Sequence, residues 1–158
     1  MPIHHVLADK KDTYGFKRQS FWAIAGEAVV EGDILCFDLS QSGDERYKEV
    51  ILADTDDTAG SYALAGVAAA AASSGEPVEV ITWGVASVRV NGTTDIAAND
   101  QIVISGTAGV GVTRTITATN GGTIQASLEV PVVGVALEAY TTDATDKKSV
   151  FVRVPGPY

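Results

Sequence analysis

An internal repeat constrains the fold of this chain more than any single motif. Two pairs of segments recur in the same order: EGDILCFD (31–38) with ANDQIVIS (98–105), and AGVAAAAASSGEPVEVIT (65–82) with VGVALEAYTTDATDKKSVFVRV (133–154). Within the first pair, Asp33 and Asp100 are 67 positions apart. Within the second, Gly66 and Gly134 are 68 positions apart. Because order and spacing both match, we expect one structural unit to occur twice, related by a pseudo-twofold axis.

Strand and turn signals follow one another from Gly26 to the end of the chain. The sequence has 16 glycines and many Val, Ile and Thr residues, which favour strands joined by tight turns. Asn91-Gly92 and Asn120-Gly121-Gly122 are typical of hairpin turns. These signals predict an all-β protein, a small β-barrel or sandwich built from the two copies of the repeat.

Five consecutive alanines, Ala68–Ala72, favour a helix if propensity alone is considered. The second copy of the repeat has GVALEAYTTD at this place, where Val135, Leu137 and Tyr140 suit a strand. Tertiary context overrides helix propensity, and five residues are too few for a stable isolated helix. We therefore expect a strand that pairs with PVEVITWGV (77–85) through a turn at SSGEP, with a short helix as the alternative.

The first 25 residues differ from the rest, because charges and aromatic residues mix there without a sustained period. We interpret residues 1–25 as an extended N-terminal arm and residues 26–158 as the β domain. Aromatic residues and arginine are enriched at protein interfaces. The arm therefore predicts a contact with a neighbouring subunit, made by Tyr14, Phe16, Lys17, Arg18, Phe21 and Trp22. The alternative is that these aromatic side chains cap the core of their own domain.

Composition excludes several classes of partner and site. The formal net charge is −9 and the isoelectric point is about 4.5, so we expect neither nucleic acid nor a membrane surface as a partner. A lone cysteine, Cys36, excludes an intramolecular disulfide and a multi-cysteine zinc site. No apolar run has the length of a signal-peptide core or a membrane span, so we expect the protein to be made and folded in a cytoplasm.

Residues that could carry catalysis are few. His4 and His5 are the chain's two histidines, and adjacent side chains of an extended segment point in opposite directions. Asp54, Asp56 and Asp57 could supply oxygen ligands to a cation, but a solvated turn explains them better. No phosphate-binding or metalloprotease motif is present. We predict no catalytic residues, no metal and no cofactor, hence a protein that is not an enzyme.

The order of the motifs resembles a known family. AVVEGDILCFD is followed by AGVAAAAASSGEPVEVITWGVASV and then by VVGVALEA, and the match covers roughly residues 26–140. Similar motifs, V-x-x-G-D followed by G-V-A and G-E-x-V-x-V, recur in the head decoration proteins of tailed bacteriophages, also called capsid-stabilising or cement proteins. This resemblance implies a tulip-like β-barrel on the outer capsid surface, with the major capsid protein as partner and a homotrimeric state.

The sequence therefore predicts a non-enzymatic virion structural protein that is made in the host cytoplasm. It would decorate and stabilise a phage capsid by bridging capsid subunits. One alternative is another virion β-protein, such as a tail or head-fibre component. The other is a carbohydrate-binding module, for which Trp83 and Tyr140 are the candidate aromatic residues.

Overall fold

A computed structural model of the chain describes residues 18–55, 63–115 and 131–154. These residues form nine strands: β1 Gln19–Ala25, β2 Ile34–Phe37, β3 Glu49–Leu52, β4 Leu64–Ala68, β5 Pro77–Asn91, β6 Gln101–Ile104, β7 Gly111–Thr113, β8 Val132–Ala136 and β9 Thr145–Arg153. A 3₁₀ helix, Gly43–Tyr47, lies between β2 and β3. The described residues contain no α-helix, and none of their helices is long and apolar enough to cross a membrane. The all-β prediction is confirmed.

Strand pairing closes the nine strands into two five-stranded rings that share β5. The first ring runs β1-β3-β2-β4-β5 and closes where β5 pairs with β1. The second ring runs β5-β7-β6-β8-β9 and closes where β9 pairs with β5. With its 15 residues, β5 spans roughly 50 Å. It is therefore long enough to pair with β1 along its first half and with β9 along its second half.

The two rings are copies of one unit, as the internal repeat predicts. In the first ring Leu35 of β2 lies opposite Gly66 of β4, and a β-bulge follows. In the second ring Ile102 of β6 lies opposite Gly134 of β8, and a β-bulge follows again. By pairing pattern, β1 corresponds to the second half of β5, and the first half of β5 corresponds to β9. Each of these strands runs antiparallel to its counterpart, which fits a pseudo-twofold axis perpendicular to the strands.

The two repeated aspartates hold the same turn in the two copies. Asp33 Oδ2 accepts a hydrogen bond from the Val30 backbone N–H at 2.7 Å. Asp100 Oδ2 accepts one from the Ala97 N–H at 2.8 Å. In both cases the aspartate immediately precedes a strand, so its carboxylate fixes the turn that leads into β2 or β6.

The alanine run contains no helix. Ala68 ends β4 and pairs with Val80 of β5, which confirms the predicted β4–β5 partnership. Ala69 and Ala70 form a bend, so the predicted strand does not extend through the whole run. Ala72 forms an isolated antiparallel bridge with Val29. The bend occurs here because two backbone hydrogen bonds hold the run against the turn before β2. The Gly32 N–H donates to the Ala68 carbonyl, and the Val29 N–H donates to the Ala72 carbonyl.

Two apolar clusters fill the rings. The interior of the first ring is small and rich in alanine, with Leu35, Val78 and Val80 among its larger members. The interior of the second ring is built from larger side chains, including Ile102 and Ile104. Cys36 is buried in the second cluster, as its apolar neighbours in the sequence suggest.

The two predicted hairpin turns and the predicted N-terminal arm lie partly outside the described residues. Asn91 does end β5, but no hairpin follows, because β5 and β6 are not neighbours in the sheet. The predicted turn at Asn120-Gly121-Gly122 lies outside the described residues. The predicted arm covers residues 1–25, of which 19–25 form β1 and 1–17 lie outside the described residues.

Candidate interaction surfaces

The six residues predicted to contact a partner fall into two groups. Tyr14, Phe16 and Lys17 lie outside the described residues. Arg18, Phe21 and Trp22 are described, and they lie at the beginning of β1 or within it. These three side chains do not form one surface. Phe21 and Trp22 point to opposite faces of β1, because successive side chains of a strand alternate between its two faces.

Phe21 points into the first ring. Its ring stacks on that of Phe37, with 5.9 Å between the centroids and 24° between the planes. Phe21 also lies opposite Val80, and both belong to the cluster that fills this ring. The side chain thus packs in the core of its own domain, which is the alternative considered for the aromatic residues of the arm.

Trp22 points away from the ring and is 70% exposed. Ile24, two residues further along β1, is 38% exposed. Arg18 stands just before the strand, with its Nη2 atom 3.7 Å from Oε1 of Glu79 on β5. These three residues, Arg18, Trp22 and Ile24, are called the β1 surface below. Strand β1, which carries Trp22 and Ile24, is paired with β5 from Gln19 to Ile24 and with β3 at Ile24 and Ala25.

A second exposed apolar surface lies on β5 and β9. Trp83 and Val85 are 44% and 41% exposed, and they lie opposite Arg153 and Phe151. The ring of Phe151 meets that of Trp83 edge to face at a centroid distance of 5.2 Å. These four residues are called the β5–β9 surface. Where β5 pairs with β9, alternate residues of 83–91 and of 145–153 point away from the ring. These outward residues include arginine and lysine but no acidic side chain.

The two aromatic residues named for a carbohydrate-binding module do not form a row. Trp83 lies where β5 begins to pair with β9, whereas Tyr140 contacts Gly92, just beyond the other end of β5. Nine residues of extended strand separate the two ends by about 30 Å. The Tyr140 ring is also covered by Nζ of Lys148, 4.5 Å from its centroid.

The described residues contain no group of three or more His, Cys, Asp or Glu side chains that could hold a metal ion. Asp54 of the acidic stretch is described and half-buried, whereas Asp56 and Asp57 lie outside the described residues, as do His4 and His5.

The β2–β3 connection, residues 38–48, carries exposed apolar and acidic side chains. Leu39 is 44% exposed and Tyr47 is 72% exposed. Asp44 and Glu45 occupy the first turn of the 3₁₀ helix. Asp38 opens the connection, and its carboxylate accepts hydrogen bonds from the Ser40 hydroxyl, the Ser40 backbone N–H and the Gln41 side chain. The connection is therefore a defined turn that presents Leu39 and Tyr47 to solvent.

We predict that Asp38 makes the protein more stable at neutral than at acidic pH. The hydrogen bond from the Ser40 hydroxyl, with those from Gln41 and the Ser40 amide, holds the pKa of Asp38 below its ordinary 3.8, although burial opposes this. A carboxyl whose pKa is lower in the folded state adds stability above the unfolded pKa and loses it as the pH falls through the folded value. Urea unfolding of wild type and Asp38→Asn should therefore differ at about pH 7, and the difference should shrink as the pH falls below 3.8, the ordinary pKa of the group. A difference that stays constant over this range would contradict the prediction.

Comparison with solved structures shows a likeness in fold. The chain is similar to the solved structure of the head fiber gp8.5 N base of bacteriophage phi29, with 19% sequence identity and a TM-score of 0.47. The aligned part covers 88% of this chain and 99% of that chain. No protein-family model matches the sequence, and no curated protein matches it.

Proposed function

We propose that this protein is a non-enzymatic structural protein of a phage virion. It decorates the outer surface of the capsid and stabilises the shell by bridging subunits of the major capsid protein. The order of the motifs along residues 26–140 suggests this role. The single structural observation that carries it is the exposure of Trp22 on a strand that is paired on both sides.

An exposed tryptophan on a hydrogen-bonded strand suits a binding anchor. Tryptophan is among the residues that contribute most to protein interfaces when it enters a pocket on the partner. Because the backbone of β1 is already ordered by its pairing with β5 and β3, covering Trp22 and Ile24 costs side-chain entropy but little backbone entropy.

The β1 surface is also where the N-terminal residues join the domain. Tyr14, Phe16 and Lys17 lie within four residues before Arg18 in the sequence. All four are among the residues that the sequence predicts to contact a partner. In the proposed complex these residues extend the contact that Trp22 begins. Many copies on one shell multiply a modest affinity, because each attachment raises the effective concentration for its neighbours on the lattice.

We predict that Trp22→Ala weakens attachment to expanded capsids without unfolding the protein. The loss of a buried tryptophan anchor costs about 2 kcal/mol or more, which corresponds to a roughly thirtyfold lower affinity. Co-sedimentation of the purified protein with shells that lack it measures the change. Val30→Ala is the matched control, because Val30 is 46% exposed and lies outside β1. Equal binding of Trp22→Ala and Val30→Ala would remove the β1 surface from the proposed contact.

A second variant tests the N-terminal residues. A deletion through residue 22 would remove Gln19–Trp22 from β1 and open the first ring, so the informative deletion ends at Lys17. Circular dichroism should show that this shortened chain keeps its β structure, while shell occupancy falls. Full occupancy by the shortened chain would contradict a role for residues 1–17.

A further inference from the structure

We propose that one edge of β1 binds an extended segment of the capsid partner, which joins the sheet as a further strand. This edge consists of the backbone N–H and C=O groups of Ser20 and Trp22 and is called the β1 edge below. The inference rests on the proposed function, because it states how the partner of the β1 surface is bound.

The backbone groups of Ser20 and Trp22 point away from β5. The Ile24 N–H donates to the Lys48 carbonyl, which lies on the side of β3. Along a strand, the backbone groups of every second residue point to the same side. Pairing with β5 is regular from Ser20 to Ile24, since the register shift lies between Gln19 and Ser20. Ser20 and Trp22 therefore point to the same side as Ile24.

On that side, no described strand lies opposite the β1 edge. β3 begins at Glu49 and pairs with β1 at Ile24 and Ala25 alone. Before Glu49 the chain forms the 3₁₀ helix Gly43–Tyr47 and so leaves the line of β3. Within residues 18–55, 63–115 and 131–154, the β1 edge therefore has no backbone partner.

The second ring shows that a polypeptide backbone fits at the equivalent position. In the correspondence between β1 and the second half of β5, Trp22 matches Ser87. Ile24 matches Arg89. The Arg89 N–H donates to the Gly32 carbonyl at 2.9 Å, and a Cβ atom on Gly32 would lie 3.1 Å from the Ser87 carbonyl oxygen. The turn before β2 thus covers this edge of β5, whereas no described segment covers the β1 edge.

The chemistry of the β1 edge selects an extended polypeptide as its ligand. Backbone donors and acceptors at strand spacing are matched by another strand, which is how many proteins bind extended peptides. Gln19–Ala23 spans roughly 17 Å, the length of an ordinary strand. Side chains of the added strand would lie beside the exposed Trp22 on one face and the half-buried Phe21 on the other. The proposal therefore assigns to the edge a capsid segment with apolar side chains on both faces.

A proline at position 20 tests the added strand without changing Trp22. Ser20→Pro removes an N–H group that points to the β1 edge, and it leaves the hydrogen bonds between β1 and β5 in place. Ser20→Ala is the matched control, because both variants lose the hydrogen bond from the Ser20 hydroxyl to Glu79. In co-sedimentation with expanded shells, Ser20→Pro should bind roughly tenfold more weakly than Ser20→Ala, as expected for a lost backbone hydrogen bond. Circular dichroism and urea unfolding check that both variants are folded.

Hydrogen exchange of the wild-type chain tests the same edge without any substitution. In the free protein, the amides of Ser20 and Trp22 should exchange fast, whereas those of Phe21 and Ala23, which point to β5, should exchange slowly. On shells, the exchange of the Trp22 amide should slow at least roughly tenfold. Unchanged exchange at full occupancy would overturn the proposal. So would a Trp22 amide that is already protected in the free protein, because the edge would then be paired within the chain.

The variants separate this proposal from the proposed function. If Trp22→Ala weakens attachment while Ser20→Pro binds like Ser20→Ala, the added strand is wrong and the capsid contact of the β1 surface stands. If Trp22→Ala also binds like wild type, the β1 surface itself is removed from the contact. Self-association of the wild-type chain in sedimentation equilibrium that Ser20→Pro abolishes would overturn the proposal as well, because it assigns the β1 edge to a second copy.

Discussion

Replacement of Gly66 by alanine is expected to lower the free energy of unfolding by about 3 kcal/mol or more. A Cβ atom at Gly66 would overlap the carbonyl oxygen of Ile81 and lie 2.7 Å from Cγ1 of Val80. Both neighbours belong to β5, so relief requires β4 and β5 to separate. The φ angle of Gly66 is +151°, which adds backbone strain for any other residue. Urea unfolding measures the loss.

Gly134 tests the same argument in the second ring. A Cβ atom there would overlap the carbonyl oxygen of Phe151 and lie 2.9 Å from Cγ1 of Val150. We expect Gly134→Ala to cost about 2 kcal/mol, from overpacking alone. Gly75→Ala is the control, because Gly75 has a φ of +85° but no atom within 4 Å of the added Cβ. It should cost about 1 kcal/mol, from backbone strain. Equal losses for Gly66→Ala and Gly75→Ala would contradict the close approach of the strands.

These glycines explain why the repeat could be predicted from the sequence. Gly66 and Gly134 occupy positions where another strand leaves no space for a side chain. Asp33 and Asp100 fix equivalent turns through equivalent hydrogen bonds. Such positions tolerate few residue types, so they retain the signal of the repeat although the rest of the two copies differs.

The sharing of β5 could not be predicted in the same way. The boundary between the two copies falls inside a single strand, Pro77–Asn91, and no turn or change of composition marks it. The unusual length of the strand, rather than any motif, lets one element serve both rings.

Strand β1 is not recognisable in the sequence, because apolar and polar side chains do not alternate along it. Phe21, Ala23 and Ala25 point inward, as an alternating strand requires, but Trp22 and Ile24 on the outer face are apolar as well. A strand with apolar residues on both faces shows no period-two pattern. The same exposure of Trp22 makes β1 a candidate interaction surface, so the feature that hid the strand is also its functional signal.

The partner of a surface depends on information that lies outside one chain. Arginine and aromatic residues in the first 25 positions predicted contacts, and Trp22 lies on an exposed surface as such a role requires. The sequence points to Trp83 only as a candidate carbohydrate-binding residue and does not predict the β5–β9 surface, because Trp83, Val85 and Phe151 all lie in apolar strand segments. Its exposure depends on which strands of the two rings cover one another, which no local pattern records.

Asp33 links the two rings through an ion pair, and its removal is the second change with a large expected effect. Its carboxylate is 3% exposed and accepts a hydrogen bond from Nη1 of Arg89 on β5 as well as from the Val30 amide. The Arg89 backbone also donates to the Gly32 carbonyl, so side chain and backbone join at the same place. Asp100, the counterpart, bonds the hydroxyl of Thr113 at 3.1 Å instead of an arginine.

Asp33→Ala should therefore lower the free energy of unfolding by about 3 kcal/mol, because it leaves a partly buried guanidinium and a turn amide without their acceptor. The estimate is at the lower end of the range for a broken buried ion pair, since Arg89 keeps 31% exposure and can bind water. Asp100→Ala is the matched control and should cost about 1 kcal/mol, for the turn hydrogen bonds alone. The difference between the two variants in urea unfolding isolates the ion pair that joins the rings. Equal losses would show that the Asp33–Arg89 pair adds no stability, and that the rings are held by β5 and the apolar contacts between them.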